Sequence, residues 1–72
     1  MRYLVIIEKT NDGFSAHVPD LPGCITVGDT KEEVEQLIQE AIVFHLEGMK
    51  EDGLEIPQPS TESVTMLIPN VA

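Results

Sequence analysis

Two histidines, one cysteine and thirteen acidic side chains are the groups in this 72-residue sequence with the potential for chemistry. His17 and Cys24 are expected to project from one face of a sheet together with Ser15 and Thr26, but two ligands without CxxC or HxxxH spacing do not define a metal centre. As a nucleophile Cys24 would need a neighbouring base and an electropositive setting. Its surroundings are acidic, so it reads as an inert, partly buried thiol. His45 falls within an apolar helical stripe and reads as a buried histidine bonded to backbone or used in self-contact. No catalytic residue, metal site or cofactor is expected, and the chain is not expected to be an enzyme.

The charge balance points to binding instead. Thirteen acids against four bases give a formal charge of −9. Such a surface repels phosphate backbones, which argues against direct nucleic-acid binding and for a basic protein partner. Hydrophobic residues make up 42% of the chain, and their clear periodicity separates it from acidic disordered sequences. A lone cysteine forms no intrachain disulfide, and no apolar block follows a charged N-terminus. The longest apolar runs, residues 3–7 and 41–44, fall far short of the roughly 20 needed to span a bilayer. A cytoplasmic protein without membrane contact is expected. A domain this short buries only about 60% of its unfolded surface, so homo-oligomerisation is expected to supplement its core.

The elements that position these groups are legible in order. Residues 2–9 read as a strand covered on both faces, with Tyr3, Val5 and Ile7 on one side and Leu4 and Ile6 on the other, near the centre of a sheet. Thr10 to Gly13 supply a turn, and Phe14, Ala16 and Val18 place the core face of a second strand. Pro19 to Gly23 redirect the chain, because two prolines fix φ and remove donors while Asp20 can bond its own backbone. In the third strand Ile25 and Val27 are assigned to the core and Cys24 and Thr26 to the opposite face. Thr30 and Glu33 have capping-box spacing, and Asp29, Glu32 and Glu33 suit the positive end of a helix dipole. Val34, Leu37, Ile38, Ala41, Ile42, His45, Leu46 and Met49 then recur at helical spacing as far as a C-cap at Gly53. After the rigid Pro57–Pro59 connector, residues 64–68 alternate and read as a fourth strand, with Val64, Met66 and Ile68 facing the helix. The expected fold is α+β, β-β-β-α-β, with strand order 3-2-1-4 and one helix on one face. Residues 1–72 form a single domain in this reading.

Several of these stretches resemble the HicB-like antitoxin family of bacterial type II toxin–antitoxin systems. The matching residues are Asp12-Gly13-Phe14, the run from Pro19 to Cys24, Gly28-Asp29-Thr30, Glu32-Glu33, and the exit from Asp52-Gly53 to Ile56-Pro57-Gln58-Pro59. The resemblance implies a partial ribonuclease-H-like fold and a protein that binds and inhibits a basic HicA-type mRNA interferase. Many members append a DNA-binding module; 72 residues leave no room for one, so a short form is expected. A ribonuclease-H-like outline also raises metal-dependent cleavage, which needs carboxylates on the strands. Residues 3–7 and 64–68 carry none.

The surface assigned to the partner is the polar side of the helix: Glu32, Gln36, Glu40 and Glu47, with Val43 and Phe44 forming an exposed apolar spot among the acids. Asp20 in the turn is a further candidate contact, although an Asx-turn accounts for it equally well. The uncovered sheet face, carrying Leu4, Ile6, His17, Thr26 and Leu67, or an edge of that sheet, is assigned to self-association. The alternative to an antitoxin is an orphan interaction module of the same fold whose partner is not a nuclease.

Overall fold

Hydrogen-bonded turns at both ends of a short meander set the geometry of this chain, for which a computed structural model describes residues 1–70. Strands β1 (Ile6–Lys9), β2 (Phe14–His17) and β3 (Ile25–Gly28) are followed by helix α1 (Lys31–Glu51). The strands pair antiparallel in the order β1-β2-β3, the 3-2-1 part of the expected order. At the first turn the Thr10 amide donates to the Gly13 carbonyl at 2.8 Å, and the Gly13 amide donates to Thr10 Oγ1 at 3.1 Å. Gly13 lies against the Gly28 carbonyl, where a Cβ would collide with that oxygen. This close approach ties the hairpin tip to the end of β3 and requires glycine.

The second turn holds the core. Leu21 donates to the Val18 carbonyl at 3.0 Å, Cys24 to Leu21 at 3.1 Å and Val18 to Cys24 at 3.2 Å. Leu21 folds inward and is fully buried with Ala16, Val18, Cys24, Val34 and Ile38. Tyr3, Val5, Ile7, Phe14, Ala41, Ile42 and Leu46 pack around this nucleus.

The same turn reverses the expected faces of β3. Pairing of Val18 with Cys24 and of Ala16 with Thr26 puts Cys24 and Thr26 on the helix side. Ile25 and Val27 point outward, 66% and 68% exposed. The closed turn fixes the register, and a register set one residue away from the apolar alternation sends every side chain to the other face. Thr26 therefore does not belong to the uncovered face; Ile25 and Val27 do, beside Ile6 and His17.

Helix α1 begins and ends as the sequence predicts. Thr30 Oγ1 accepts from the Glu33 amide at 3.1 Å, satisfying one of the orphan donors of the first turn. At the other end Gly53 has φ +71°, Leu54 donates to Met49 at 2.9 Å and Gly53 to Lys50 at 3.1 Å, the paired bonds of a Schellman stop.

Two other expectations are corrected. Strand β1 starts at Ile6 rather than at residue 2, because β2 ends before Pro19, which has no amide to extend the ladder, and it is an edge of the sheet because no described strand pairs on its other side. The fourth strand does not form within the chain: residues 54–70 contain no strand, and Val64, Met66, Leu67 and Ile68 are 74%, 69%, 97% and 70% exposed. Their path is set by side chains upstream. Tyr3 Oη donates to the Pro57 carbonyl at 2.5 Å, and the Asp20 carboxylate receives both the amides and the hydroxyls of Ser60 and Thr61. Beyond that anchor the segment leaves the body. The radius of gyration is 14.7 Å and the long axis 53 Å, against a radius of about 11 Å for a compact domain of this length.

Candidate protein-binding surface

The six helix residues assigned to a partner share one side of α1. At 3.6 residues per turn, Glu32, Gln36, Glu40, Val43, Phe44 and Glu47 fall within an arc of about 120° and a length of about 22 Å. All six are exposed. Val43 is 54% and Phe44 78% exposed, so the apolar spot among acids is present, with Phe44 its more prominent member. Gln36 Nε2 donates to Glu40 Oε2 at 3.3 Å, which steadies one carboxylate beside that spot. The helix carries six glutamates and two lysines, so its exposed side presents a negative field with an aromatic ring inside it.

The structure adds one residue to this surface. Leu37, assigned above to the buried stripe, is 36% exposed and lies one heptad before Phe44, on the same flank. The signal lay in the helix angle: Leu37 sits about 100° from Ile38 and about 20° from Phe44. His45 and Met49 are half-buried on the sheet side.

Asp20 takes a different role from either one expected of it. Its carboxylate bonds neither its own turn nor an open surface but the chain forty residues on: Oδ2 accepts from the Ser60 and Thr61 amides at 2.9 and 3.1 Å, and Oδ1 from their hydroxyls at 3.1 and 2.6 Å. Led by the Thr61 hydroxyl, these bonds hold its pKa down to about 2, since each donor favours the charged form. Cys24 is buried, and burial pushes its thiol pKa up, away from the reactive thiolate.

Two concavities flank the fold. One of about 510 Å³ lies at the start of α1 between Asp12, Gly13, Phe14, Asp29 and Glu33. The other, of about 330 Å³, runs between β1 and α1 and is walled by Val5, Ile7, Ile38 and Ile42 with Glu35 and Gln39 on its rim. Among the described residues no three His, Cys, Asp or Glu side chains are grouped to hold a metal ion, and no helix is long and apolar enough to cross a membrane.

The model of one protein family, the HicB-like antitoxin of bacterial toxin–antitoxin systems, matches residues 3–71. The chain belongs to this family. An antitoxin family agrees with the non-enzymatic expectation drawn from the sequence. Among its relatives, the antitoxin HicB 2 of Photorhabdus laumondii is 42% identical over 62 residues, covering 86% of this chain and 45% of that protein. A 14.9 kDa protein from the rep–hol intergenic region of Haemophilus phage HP1 is 52% identical over 58 residues, 81% of this chain and 44% of its own. The UPF0150 protein Ta0767 of Thermoplasma acidophilum is 43% identical over 67 residues, 92% and 97% of the two chains. The HicB-like chain thus spans less than half the length of the first two and nearly all of the third. In three dimensions it resembles a chain of the HicA3–HicB3 toxin–antitoxin complex, with TM-score 0.71, 32% identity and coverage of 83% of this chain and 70% of that one. The α+β architecture of three antiparallel strands and one helix is shared with that neighbour.

Proposed function

We propose that this protein is an antitoxin that binds a basic HicA-type mRNA interferase and masks its RNA-binding surface. The observation that carries the reading is the 32% identical structural neighbour from the HicA3–HicB3 complex. The acidic side of α1, with Leu37, Val43 and Phe44 exposed among Glu32, Gln36, Glu40 and Glu47, suits such a partner. Negative side chains oppose a surface evolved for phosphate and steer the encounter, while the apolar residues supply the desolvated centre that holds it. Asp20 is left out of this contact, because its oxygens are already bonded to Ser60 and Thr61. In this reading residues 1–72 act as one HicB-like domain, in the cytoplasm where mRNA is cut, with no direct hold on nucleic acid. The sheet side remains free for self-association. A stable complex needs about 1,200–2,000 Å² of buried surface, more than one helix face supplies, so the toxin reaches beyond α1.

The test is isothermal titration of a HicA-type toxin with wild type and with Glu40→Lys/Glu47→Lys. Reversing two exposed charges weakens binding about 5- to 30-fold at low salt, and the loss shrinks at high salt as the Debye length falls. Equal affinity of the two proteins at low salt refutes the helix-face assignment, and no binding by the wild type refutes the toxin-masking reading itself.

A further inference from the structure

Residues 62–70 have the sequence of a strand and none of the contacts of one. Val64, Met66 and Ile68 alternate with polar or outward positions, all three are largely exposed, and Pro69 closes the run. Strand β1 meanwhile is an unpaired edge, and the groove beside it is apolar, walled by Val5, Ile7, Ile38 and Ile42. The two features are complementary in length and chemistry. A strand laid beside β1 presents alternate side chains to the helix, so Val64, Met66 and Ile68 fill the groove while Leu67, 97% exposed, turns to the outer face where Leu4 and Ile6 lie.

The arm does not occupy the groove of its own chain. Tyr3 holds Pro57 at the start of the β1 segment, and the next fixed point is the Asp20 carboxylate, beyond the end of β2. Between these anchors the chain moves from the β1 side toward the β2–β3 turn, away from the free edge of β1. From Thr61 onward it projects outward, and the 53 Å long axis results.

We infer that two copies of this chain exchange these arms: residues 62–70 of one protomer add as a fourth strand to β1 of its partner, and the partner's arm returns the contact. The occupant is a second copy because the fourth strand that the sequence encodes and the groove that it fits are both present in every chain, and a two-fold exchange satisfies both grooves and both edges at once. The strand order 3-2-1-4 read from the sequence is then completed between chains, with the Pro57–Pro59 connector and the Asp20 anchor as the hinge. This gives the self-association proposed above its interface. It does not draw on toxin binding, and its test contains no toxin.

Two single-cysteine proteins in a Cys24→Ala background decide it, Gln39→Cys on the groove rim of one and Met66→Cys on the arm of the other, each with a different affinity tag. Mixed and treated with a short bismaleimide, they yield a covalent heterodimer if arms are exchanged. No heterodimer, in a mixture whose circular dichroism matches the wild type, overturns the inference. Sedimentation of the full chain with Met66→Asp/Ile68→Asp gives a second readout. Two carboxylates brought into an apolar groove raise the dimer dissociation constant at least about 100-fold, with the helical signal retained because neither residue lies in the core. A variant that dimerises like the wild type, or a wild type monomeric at all concentrations, overturns it equally. A chain that binds toxin and is monomeric would sink the exchange alone, and a dimer indifferent to toxin would sink the masking reading alone.

Discussion

Replacing Thr26 by valine should stabilise the fold, and the size of the gain tests the register of β3. Thr26 Oγ1 is buried and has no hydrogen-bond partner, because pairing with Ala16 turns it toward the helix. A buried hydroxyl without a partner costs about 1–3 kcal/mol, and exchanging it for a methyl adds buried apolar surface worth about 0.8 kcal/mol. Both residues are β-branched, so strand propensity changes little. Part of the side chain remains near solvent, which brings the expected gain to about 1–2 kcal/mol. The thermal midpoint then rises by roughly 5–15 °C for a domain of this length. Urea unfolding at fixed protein concentration, with unchanged slope, is the assay. Two controls bracket it. Thr26→Ser keeps the hydroxyl and loses the methyl, and should be less stable by about 1 kcal/mol. Val27→Thr, on the outer face at 68% exposure, should stay within about 0.5 kcal/mol of wild type. A neutral or destabilising Thr26→Val refutes the reasoning: either the hydroxyl has found a partner in solution or Thr26 faces water.

Phe44→Ala should leave stability nearly unchanged, since the ring is 78% exposed, yet weaken toxin binding by at least about 2 kcal/mol in titration calorimetry. Gly13→Ala should destabilise by about 1–3 kcal/mol in urea unfolding, because its Cβ meets the Gly28 carbonyl and the hairpin tip must retreat. Acid should release the anchored segment before it unfolds the core. Asp20 has its pKa depressed from 3.8 to about 2, so its contribution is fully present above about 3.8 and is lost as pH falls through about 2. Protection of the Ser60 and Thr61 amides, taken by NMR relative to intrinsic exchange at each pH, should fall over that window, and in Asp20→Asn that fall should be absent.

Alternation made the second strand readable: Ala16 and Val18 are buried as a period of two requires. Thr30 and Gly53 marked the helix ends because caps are local chemistry, decided within four residues. The β3 faces were misread for a non-local reason. Cys24-Ile25-Thr26-Val27 is equally strand-like in either register, and apolarity favours Ile25 and Val27 inward, but the turn closed by Val18, Leu21 and Cys24 chooses the other. The exposed side of α1 was legible from helical angle, except at Leu37, which lies at the border between stripe and surface. Asp20 was not legible at all. Its partners are forty residues away, a separation that no motif spacing encodes. The fourth strand shows the converse limit, since a pattern specifies that a segment can pair without naming the edge that receives it.

The uneven burial of α1 has one more consequence. Its two fully buried residues, Val34 and Ile38, lie in the first half, next to the Thr30 cap, while the second half rests on side chains that are only partly covered. The helix is anchored most deeply next to the Thr30 cap, and toward Gly53 it rests on Ala41, Ile42 and Leu46 at the margin of the core. If this side receives the proposed partner, Glu32 and Gln36 meet it from the section anchored by Val34 and Ile38. Phe44 and Glu47 would meet it from the less deeply anchored section, where any adjustment of the helix to the partner's contour carries a cost in ordering. Discrimination between partners would then be concentrated in the first two turns, and tolerance of variation among them in the last two.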